Sequence, residues 1–593
     1  APDPAFPPLF PDGACTAAPP ARSVLDGLDP EQRAAAEAPG GPLLIVAGPG
    51  TGKTRTLTRR IAHLVAEQGV PASGFLAITF TRRAAEELTE RLGDLLGEHA
   101  RELTVATFHR LGLLILREQH ERAGLSADFG IADTAHRLEI AAQVTGSERE
   151  GRRLLDRRDA GEAAEEDLAY ERRLRELDLV DFTDLVALPV RLLGADADLA
   201  GHYGRRWPWI SVDEYQDVDE RQYALLRLLT GPDGNLTAIG DPDQAIYGFR
   251  GADVGFFLRF TADFPGAATV RLSRNYRSNA AIVGAAVQAI APASLVPDRE
   301  LRSVGGFSDP PRIGVHTAAD EKAEASFVAR SIDRLLGGTS WHSLDSGRVS
   351  GDGDGGLSFS DFCVLYRTDA QSEAVMRAFN TAGVPYQKRS HDRLLARPGV
   401  RTIAEELAHH PQGPLIERVR SAVALLCERH AADEELCADL RTAGELVRPV
   451  AAECGDDLPE FLSALALGAE VDALDPRADR VALLTLHAAK GLEFPVVFLV
   501  GCDDGLLPFR LPGEGRGLEG AGEDEERRLF FVGLTRAQHR LYLSRARRRT
   551  RRGTAAETAP SPFLEAIDAG LTMPVDEESA VRKRPRDRQM RLL

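Results

Sequence analysis

Short apolar runs alternate along the chain with longer segments of helical periodicity. Leu43–Ala47 is such a run; it ends in a glycine-rich turn and is followed by a helical pattern over Thr54–Glu67. Similar runs follow: Phe75–Thr79 before a helical pattern over Arg82–Leu96, Trp209–Val212 before another over Asp219–Leu229, and then Leu236–Ile239. Short buried strands that alternate with helices predict a parallel α/β sheet.

A second set of strand-like runs lies further along the chain: Thr269–Leu272, Asp361–Tyr366, Val481–Leu486, Val496–Val500 and Leu541–Leu543. The pattern therefore predicts two parallel-sheet α/β units. Helical material interrupts each of them. Glu118–Ala200 is dense in charge, whereas Asp392–Asp472 is richer in alanine.

Composition and charge narrow the class of protein. With 43% hydrophobic and 27% charged residues over 593 positions, the chain matches ordinary globular proteins, which excludes a mostly disordered or fibrous chain. No apolar run approaches the ~20 residues of a membrane helix. The six cysteines include no Cys-x-x-Cys pair and predict reduced thiols in a cytoplasmic protein, with neither a disulfide framework nor a zinc site. A net charge of −18 argues against a uniformly basic surface but leaves room for a local basic track for nucleic acid.

A glycine-rich segment, AGPGTGKT over Ala47–Thr54, lies between the first predicted strand and helix. Its glycines let backbone N–H groups close around phosphates, and the N-terminus of the following helix adds its dipole. Lys53 can reach the β and γ phosphates, and the Thr54 hydroxyl can hold Mg²⁺. The first position is Ala47 where the strict pattern has glycine. The nucleotide-binding candidates in this loop are Gly48, Gly50, Thr51, Gly52, Lys53 and Thr54.

Two adjacent acidic residues follow the predicted strand Trp209–Val212 in the segment SVDEYQD. Asp213, at the strand end, is positioned to hold Mg²⁺ through water, and Glu214 to polarise the water that attacks the γ-phosphate. In isolation such a pair could simply cap the next helix. Beside a phosphate loop, it predicts an NTPase.

The segment GDPDQAIYGFRG after Leu236–Ile239 brings an amide, two aromatic rings and a cation close together. Gln244 is a candidate sensor of the γ-phosphate. Tyr247, Phe249 and Arg250 provide two aromatic rings and a cation within four residues, a combination that suits stacking with unpaired bases. The alternative is that both aromatic rings belong to the hydrophobic core.

Further blocks occur in an order that resembles superfamily 1 helicases of the UvrD/Rep/PcrA type, from about Leu28 to Ala546. Besides the segments above, these blocks are LDPEQ at Leu28–Gln32, TFTRRAA at Thr79–Ala85, TFH at Thr107–His109, SRNYRS at Ser273–Ser278, LTLHAAKGLEF at Leu484–Phe494, and Glu523–Ala537. The resemblance implies two RecA-like P-loop NTPase domains, each with a helical insertion, ATP as the nucleotide and DNA as the track.

The resemblance also implies a division of the chain into domains, insertions and terminal segments. The expected parts are a Pro-rich N-terminal segment (1–22), RecA-like domain 1A (23–112 and 205–271), helical insertion 1B (113–204), RecA-like domain 2A (272–391 and 473–572), a shortened helical insertion 2B (392–472) and a basic C-terminal tail (573–593). The Pro-rich segment has no signal-peptide pattern and begins without Met, which we interpret as a processed, trimmed or fused upstream end.

On the nucleotide side, the resemblance implies a role for each matching residue. Gln32 would contact the adenine edge, Tyr276 would stack on adenine, and Arg55 would cover its other face. Gly491 and Glu493 would lie on the ATP side of their block.

Two arginines would complete this site from the second unit. The resemblance places Arg277 and Arg536 at the γ-phosphate, where they stabilise transition-state charge and make hydrolysis depend on closure of the cleft between the units. Alternating closure and opening would step the protein along one strand, and the resemblance implies 3′→5′ movement.

On the DNA side, the resemblance implies contacts from Phe80, Thr81 and His109 in the first unit. His487 and Lys490 in the second unit would also contact DNA. The expected partners are single-stranded DNA and single-strand/double-strand junctions, with no membrane.

Two departures from the family keep alternatives open. Insertion 2B, which contacts duplex in the family, is shorter here, and Phe249 stands where relatives often carry Trp. The favoured prediction is a 3′–5′ DNA helicase and single-strand translocase in DNA repair or recombination. One alternative is a translocase that displaces proteins with little unwinding; another is an ATP-gated DNA-binding module of a fused or partner nuclease.

Two segments near the end of the chain carry further hypotheses. Arg545–Arg552 holds six arginines in eight positions and is either a phosphate-contacting or a solvated basic face. Gln589–Leu593 resembles short peptides that dock on sliding clamps, which would make a repair or replication protein a partner.

Overall fold

The computed structural model describes most of the chain. The described residues are 23–159, 165–231, 234–304, 312–337, 356–389, 394–408, 413–468, 478–510, 521–551 and 554–575. The predicted segment 1–22 and the clamp-like end Gln589–Leu593 lie outside them. None of the helices in these segments has the length and apolar character needed to cross a membrane.

The described residues up to 272 form strands and helices in alternation. The strands are β1 Leu43–Ala47, β2 Phe75–Thr79, β3 Thr104–Thr107, β4 Gly130–Ile131, β5 Leu179–Val180, β6 Trp209–Val212, β7 Asn235–Gly240 and β8 Ala268–Leu272. The helices are α1 Pro30–Glu37, α2 Lys53–Ala66, α3 Arg82–Leu96, α4 Phe108–Glu118, α5 Thr134–Thr145, α6 Glu148–Asp159, α7 Glu165–Glu176, α8 Asp184–Ala195, α9 Ala197–Arg206, α10 Glu220–Thr230, α11 Gly255–Leu258 and α12 Phe260–Asp263.

The later part repeats this alternation. Its strands are β9 Arg274–Asn275, β10 Arg302–Ser303, β11 Ile313–Asp320, β12 Phe362–Tyr366, β13 Tyr386–Arg389, β14 Val481–Thr485, β15 Phe494–Leu499, β16 Ala537–Arg551, β17 Thr554–Glu557 and β18 Thr572–Pro574. Its helices are α13 Ala280–Ile290, α14 Glu321–Leu335, α15 Ser372–Ala382, α16 Pro398–Ala408, α17 Leu415–Arg429, α18 Glu434–Cys454, α19 Leu458–Leu467, α20 Ala521–Leu534 and α21 Pro562–Glu565.

The first sheet has the strand order β3-β2-β6-β7-β1-β8, and every described pairing in it is parallel. Parallel strands bring all their carboxyl ends to one edge, where ligands of open α/β sheets bind. The phosphate loop follows β1, the acidic pair follows β6, and the segment with Gln244 follows β7. The chemistry-bearing blocks of the first unit therefore share one edge of one sheet.

The second sheet has the order β13-β14-β12-β15-β16-β11-β18, and β17 pairs antiparallel with β16. Helices cover both faces of each sheet. In the first unit, α2 and α3 pack on one face and α4 and α10 on the other. In the second, α13 and α20 oppose α14 and α15. Burial on both faces explains why these strands are continuous apolar runs, and the structure confirms the predicted α/β class with parallel sheets.

The helical insertions have hydrophobic cores of their own. Helices α16–α19 enclose one cluster of buried side chains, including Leu407, Leu440 and Phe461. The helices between β3 and β6 enclose two smaller clusters. Neither insertion contributes a strand to the two large sheets in the described part of the chain.

Three expectations need correction. Thr269–Leu272 was expected with the second set of strands, but β8 pairs with β1 in the first sheet. The run Leu541–Leu543 is only the centre of the much longer β16. Strand β18 and the hydrogen bond from the Val575 amide to the Val315 carbonyl extend the second sheet into the predicted tail 573–593.

The described residues of the arginine-rich segment Arg545–Arg552 lie in the second sheet. Residues up to Arg551 belong to β16, and the guanidinium of Arg549 is buried, where it pairs with Glu324 and Asp503. Arg547 and Arg548 are exposed. Residues 545–551 are thus part of the second sheet and Arg549 is a structural ion-pair partner, while the exposed Arg547 and Arg548 fit either interpretation.

Candidate active site and nucleic-acid interface

The phosphate loop is shaped by glycines in the left-handed region. Gly50 has φ 67° and Gly52 has φ 79°, conformations that side-chain-bearing residues rarely adopt. Gly52 is the N-cap of α2, and no side chain among the described residues caps this end. The first N–H groups of α2 are therefore available to an anion. A Cβ on Gly50 would lie 2.6 Å from Asn275 Nδ2, so the second unit packs directly on the loop.

The acidic pair meets Lys53 at the carboxyl edge of the first sheet. Lys53 Nζ lies 3.0 Å from Glu214 Oε1, and Glu214 has φ 51°, a strained conformation for a residue other than glycine. Burial alone would raise the pKa of Glu214, but the charges of Lys53 and Lys490 outweigh it and lower the pKa to about 2. Burial and the neighbouring Glu214 charge raise the pKa of Asp213 to about 7.

Gln216, which the sequence analysis did not single out, links the acidic pair to the next segment. Its Nε2 donates to Glu214 Oε2 at 2.6 Å, and its Oε1 accepts from the Asp241 amide at 3.0 Å. A Cβ on Gly240 would lie 2.1 Å from that Oε1, so only glycine fits there. The sequence signal that could have singled out Gln216 was its place within SVDEYQD, two residues after Glu214.

Arg536 reaches the first unit from the second. Its Nη2 lies 3.4 Å from Gln244 Oε1, while Nε and Nη1 donate to the carbonyls of Val532 and Leu492 at 2.9 and 3.0 Å. Burial, and then the like charge of Arg277, lower the pKa of Arg536 to about 9. Among the described residues, no carboxylate lies within 4 Å of this guanidinium. The Arg536 guanidinium is therefore suited to bind an anionic ligand.

Arg277 lies at the same cleft but has a partner. Its Nε donates to Glu493 Oε2 at 2.6 Å, and its Nη1 donates to the Thr535 carbonyl at 3.3 Å. Its Cβ lies 2.7 Å from where a Cβ on Gly50 would stand. Arg277 therefore lies against the phosphate loop through its Cβ, with its guanidinium paired to Glu493, whereas Arg536 reaches the Gln244 segment. Gly491, predicted beside Glu493, has φ 84°.

The predicted adenine contacts gather around helix α1. Gln32 is buried and its Nε2 donates to the Thr51 carbonyl at 2.9 Å. The Tyr276 hydroxyl donates to Asp29 Oδ2 at 2.6 Å, and Arg55 Nη2 donates to the Gly27 carbonyl at 2.8 Å. The structure thus brings Gln32, Tyr276 and Arg55 to one side of the phosphate loop.

A cluster of rings and one cation lies where the two units meet. Phe249 is 65% exposed, so it is not a core residue. The Arg250 guanidinium lies 5.5 Å from the ring centres of both Phe249 and Tyr247. The His487 ring of the second unit lies 5.3 Å from the Phe249 ring, edge to face. We call Tyr247, Phe249, Arg250 and His487 the aromatic cluster.

The other predicted DNA contacts lie elsewhere, at the ends of β2 and β3. The Phe80 ring packs edge to face on Phe108 at 5.6 Å, and His109 stacks on Phe182 at 3.6 Å. The Thr81 hydroxyl accepts from the Ala84 amide at 3.1 Å and so caps α3. These three residues form a second group on the first unit, separate from the aromatic cluster.

Lys490 does not lie on an open surface. Its ammonium is almost fully buried; it pairs with Asp217 and donates to the Gln244 carbonyl at 2.6 Å. It also lies 5.0 Å from the Tyr247 ring centre. Burial raises the pKa of Asp217 to about 6 although the Lys490 charge opposes this shift. Lys490 thus joins the second unit to the acidic and Gln244 segments, and its contact with DNA stays a prediction.

The fold and site together define the class of protein. Residues 28–155 and 147–265 match the family model described as UvrD/REP helicase N-terminal domain, and residues 270–410 and 416–548 match UvrD-like helicase C-terminal domain. The chain belongs to the UvrD/REP helicase family. It is an ATP-dependent DNA helicase of the UvrD/PcrA type, and hence a DNA-dependent ATPase.

Individual relatives cover nearly all of the chain. It is 33% identical to the ATP-dependent DNA helicase UvrD1 of Mycobacterium tuberculosis, over 93% of this chain and 86% of that protein. It is 30% identical to the ATP-dependent DNA helicase PcrA of Bacillus subtilis, over 94% and 88% of the two chains. It is likewise 30% identical to DNA helicase II of Escherichia coli, over 91% and 87%.

Proposed function

We propose that the protein moves 3′→5′ along single-stranded DNA and unwinds duplex at single-strand/double-strand junctions during DNA repair or recombination. Support for coupled movement comes from one short segment of the first unit. Gln244, in contact with Arg536, stands five residues before Phe249 of the aromatic cluster. A change at the γ-phosphate would therefore be passed directly to the DNA-facing rings.

The proposed hydrolysis follows from the residues at the cleft. Lys53 and the free N–H groups of α2 bind the phosphates, and Glu214, ionised because of Lys53 and Lys490, polarises the attacking water. Gln244 senses the γ-phosphate, and Arg277 and Arg536 stabilise the charge that develops on it. Gln32, Arg55 and Tyr276 bind the adenine.

We propose Mg²⁺ as the metal that accompanies ATP, held by the Thr54 hydroxyl and by Asp213. Asp213 fits this role because its buried carboxylate has no cation within 4 Å among the described residues and burial raises its pKa. A divalent cation would favour the ionised carboxylate. When bound, the metal neutralises phosphate charge.

The polarity and the repair role are extended from the resemblance to the family, and the bacterial relatives support a cytoplasmic site of action on chromosomal DNA. All three relatives are named as DNA helicases. Neither the protein-displacing translocase nor the nuclease-associated module gains support from the comparisons. A sliding-clamp contact through Gln589–Leu593 stays a prediction.

Strand displacement on tailed duplexes tests the proposal. We expect ATP-dependent unwinding of a duplex with a 3′ single-stranded tail, and none with a 5′ tail. The Lys53→Ala variant should unwind neither, because it lacks the cation at the phosphates. Unwinding from the 5′ tail alone would refute the polarity. DNA-stimulated hydrolysis without any unwinding would show a translocase that needs a partner to open duplex.

The aromatic cluster makes a separate prediction. Phe249→Ala should weaken binding to single-stranded DNA by about 1–3 kcal/mol, or about 5- to 150-fold in Kd, since a base loses its stacking surface. Fluorescence anisotropy with a labelled oligothymidylate measures this. Leu258→Ala, at another exposed apolar residue of the first unit, is the matched control and should bind normally. Equal affinities for the two variants would argue against base stacking on Phe249.

A further inference from the structure

Arg299 of the second unit is inserted into the first. It follows α13, yet its side chain is only 7% exposed and pairs with Asp241 and with Asp243, the latter at 2.7 Å from Nε to Oδ2. The guanidinium also lies 5.2 Å from the Phe531 ring centre on α20. Its Nη1 lies 3.3 Å from where a Cβ on Gly48 would stand. Arg299 thus touches both units beside the phosphate loop.

The two carboxylates depend on this arginine. Asp241 and Asp243 are fully buried, and Arg299 is the cation within 4 Å of each among the described residues. Burying a carboxylate without a cation carries a large desolvation free energy. One guanidinium can donate hydrogen bonds to two carboxylates because its nitrogens are separate donors. The Ser294 hydroxyl and the Leu295 amide, from the same segment as Arg299, each donate to Asp243 at 2.6 Å.

Asp241 in turn orients Gln244. Gln244 Nε2 donates to Asp241 Oδ2 at 2.9 Å, while Gln244 Oε1 faces Arg536 at 3.4 Å. An amide nitrogen carries two N–H donors, so Asp241 occupies one of them and leaves the second for a phosphate oxygen. The orientation of the Gln244 amide is therefore set by Asp241 at one end and by Arg536 at the other.

We propose that Arg299 is a positioning residue for ATP hydrolysis: it holds Asp241 so that the Gln244 amide presents a free N–H to the γ-phosphate. Arg299 and Arg536 come from the same unit. Arg299 acts on the Gln244 Nε2 end of the amide through Asp241, and Arg536 contacts the Oε1 end. The second unit thereby controls both the orientation of the Gln244 amide and the charge beside it. This inference rests on the proposed role of Gln244 as γ-phosphate sensor.

Arg299→Lys is the sharpest test, because it keeps the charge but cannot serve both carboxylates through separate nitrogens. We expect the kcat of DNA-stimulated ATP hydrolysis to fall about 10- to 100-fold, since the Gln244 amide is no longer held in place. The KM for ATP should stay within about twofold, because no ATP-binding group is removed. Arg302→Lys, three residues away and 72% exposed, is the matched control and should behave as wild type.

A double-mutant cycle with Gln244→Ala separates positioning from a structural role. If Arg299 acts through Gln244, the double variant loses no more kcat than Gln244→Ala alone. A kcat loss equal to the product of the two single losses would overturn the inference, as would a raised KM with unchanged kcat. Asp241→Asn, which keeps the shape, provides the same cycle if Arg299→Lys folds poorly.

Different results would refute the sensor role of Gln244 and the positioning role of Arg299. A wild-type kcat in Gln244→Ala would refute the sensor role, and with it the inference. A low kcat in Gln244→Ala beside a wild-type kcat in a folded Arg299→Lys would refute the positioning role alone. Thermal unfolding of each variant, measured beside that of Arg302→Lys, shows whether the variant is folded under the assay conditions.

Discussion

Replacing Arg536 by alanine is expected to lower the kcat of DNA-stimulated ATP hydrolysis by about 10³- to 10⁵-fold, the range for removing an arginine that stabilises a transferring phosphoryl group. The guanidinium is buried and contacts carbonyl oxygens, a hydroxyl and the Gln244 amide. No carboxylate of the described residues neutralises it. A preorganised cation of this kind interacts most strongly with the negative charge that grows on the γ-phosphate in the transition state.

Single-turnover hydrolysis and equilibrium ATP binding should be measured together. Arg536→Lys keeps the charge but loses the separate contacts to Val532 and Leu492, so its kcat should fall between wild type and Arg536→Ala. Arg377→Ala, at an arginine on α15 with a 73% exposed side chain, is the surface control and should have normal kcat. If Arg536→Ala bound ATP and hydrolysed it at the wild-type rate, Arg536 would have no part in catalysis.

The parts of the fold that could be predicted are those with a local signal. Strands β1, β2 and β6 and helix α3 carry apolar runs or helical periodicity bounded by turn and cap residues, and their observed bounds match the predicted ones. The phosphate loop and the acidic pair were also foreseeable as neighbours. Each follows a parallel strand, and parallel strands end at a common edge.

The parts that could not be predicted depend on contacts between distant segments. Strand β8 was grouped with the second set because an apolar run carries no information about which sheet it joins. Arg299 had no signal, since it is one arginine in an arginine-rich chain and its acidic partners lie more than fifty residues earlier. The ion pair of Lys490 with Asp217 likewise had no signal, because the two residues lie far apart in the chain.

These distant contacts share a location. Arg299, Lys490 and Arg536 all come from the second unit, and all three contact the segment around Gln244 or its direct neighbours. The local motifs therefore supply the residues that we propose to bind ATP, whereas the packing of the two units brings the second unit to the proposed γ-phosphate sensor Gln244. Such coupling is what a motor needs in order to link hydrolysis to movement.

Glu214→Gln is expected to abolish nearly all hydrolysis while leaving ATP binding intact. The substitution keeps the size of the side chain but removes the carboxylate that would polarise water, a loss of about 10²- to 10⁴-fold in kcat. Lys53 loses its carboxylate partner at 3.0 Å and stays available to the phosphates, so the Kd for ATP should not rise. Unwinding of the 3′-tailed duplex should disappear together with hydrolysis.

The matched control for this variant lies six residues away. Glu220→Gln makes the same chemical change at an exposed residue in the first turn of α10 and should leave kcat and unwinding unchanged. A Glu214→Gln protein that binds ATP and DNA but no longer hydrolyses or unwinds would assign the chemistry to this carboxylate. A variant that no longer hydrolyses ATP but still unwinds at the wild-type rate would show that strand separation does not depend on hydrolysis at this site.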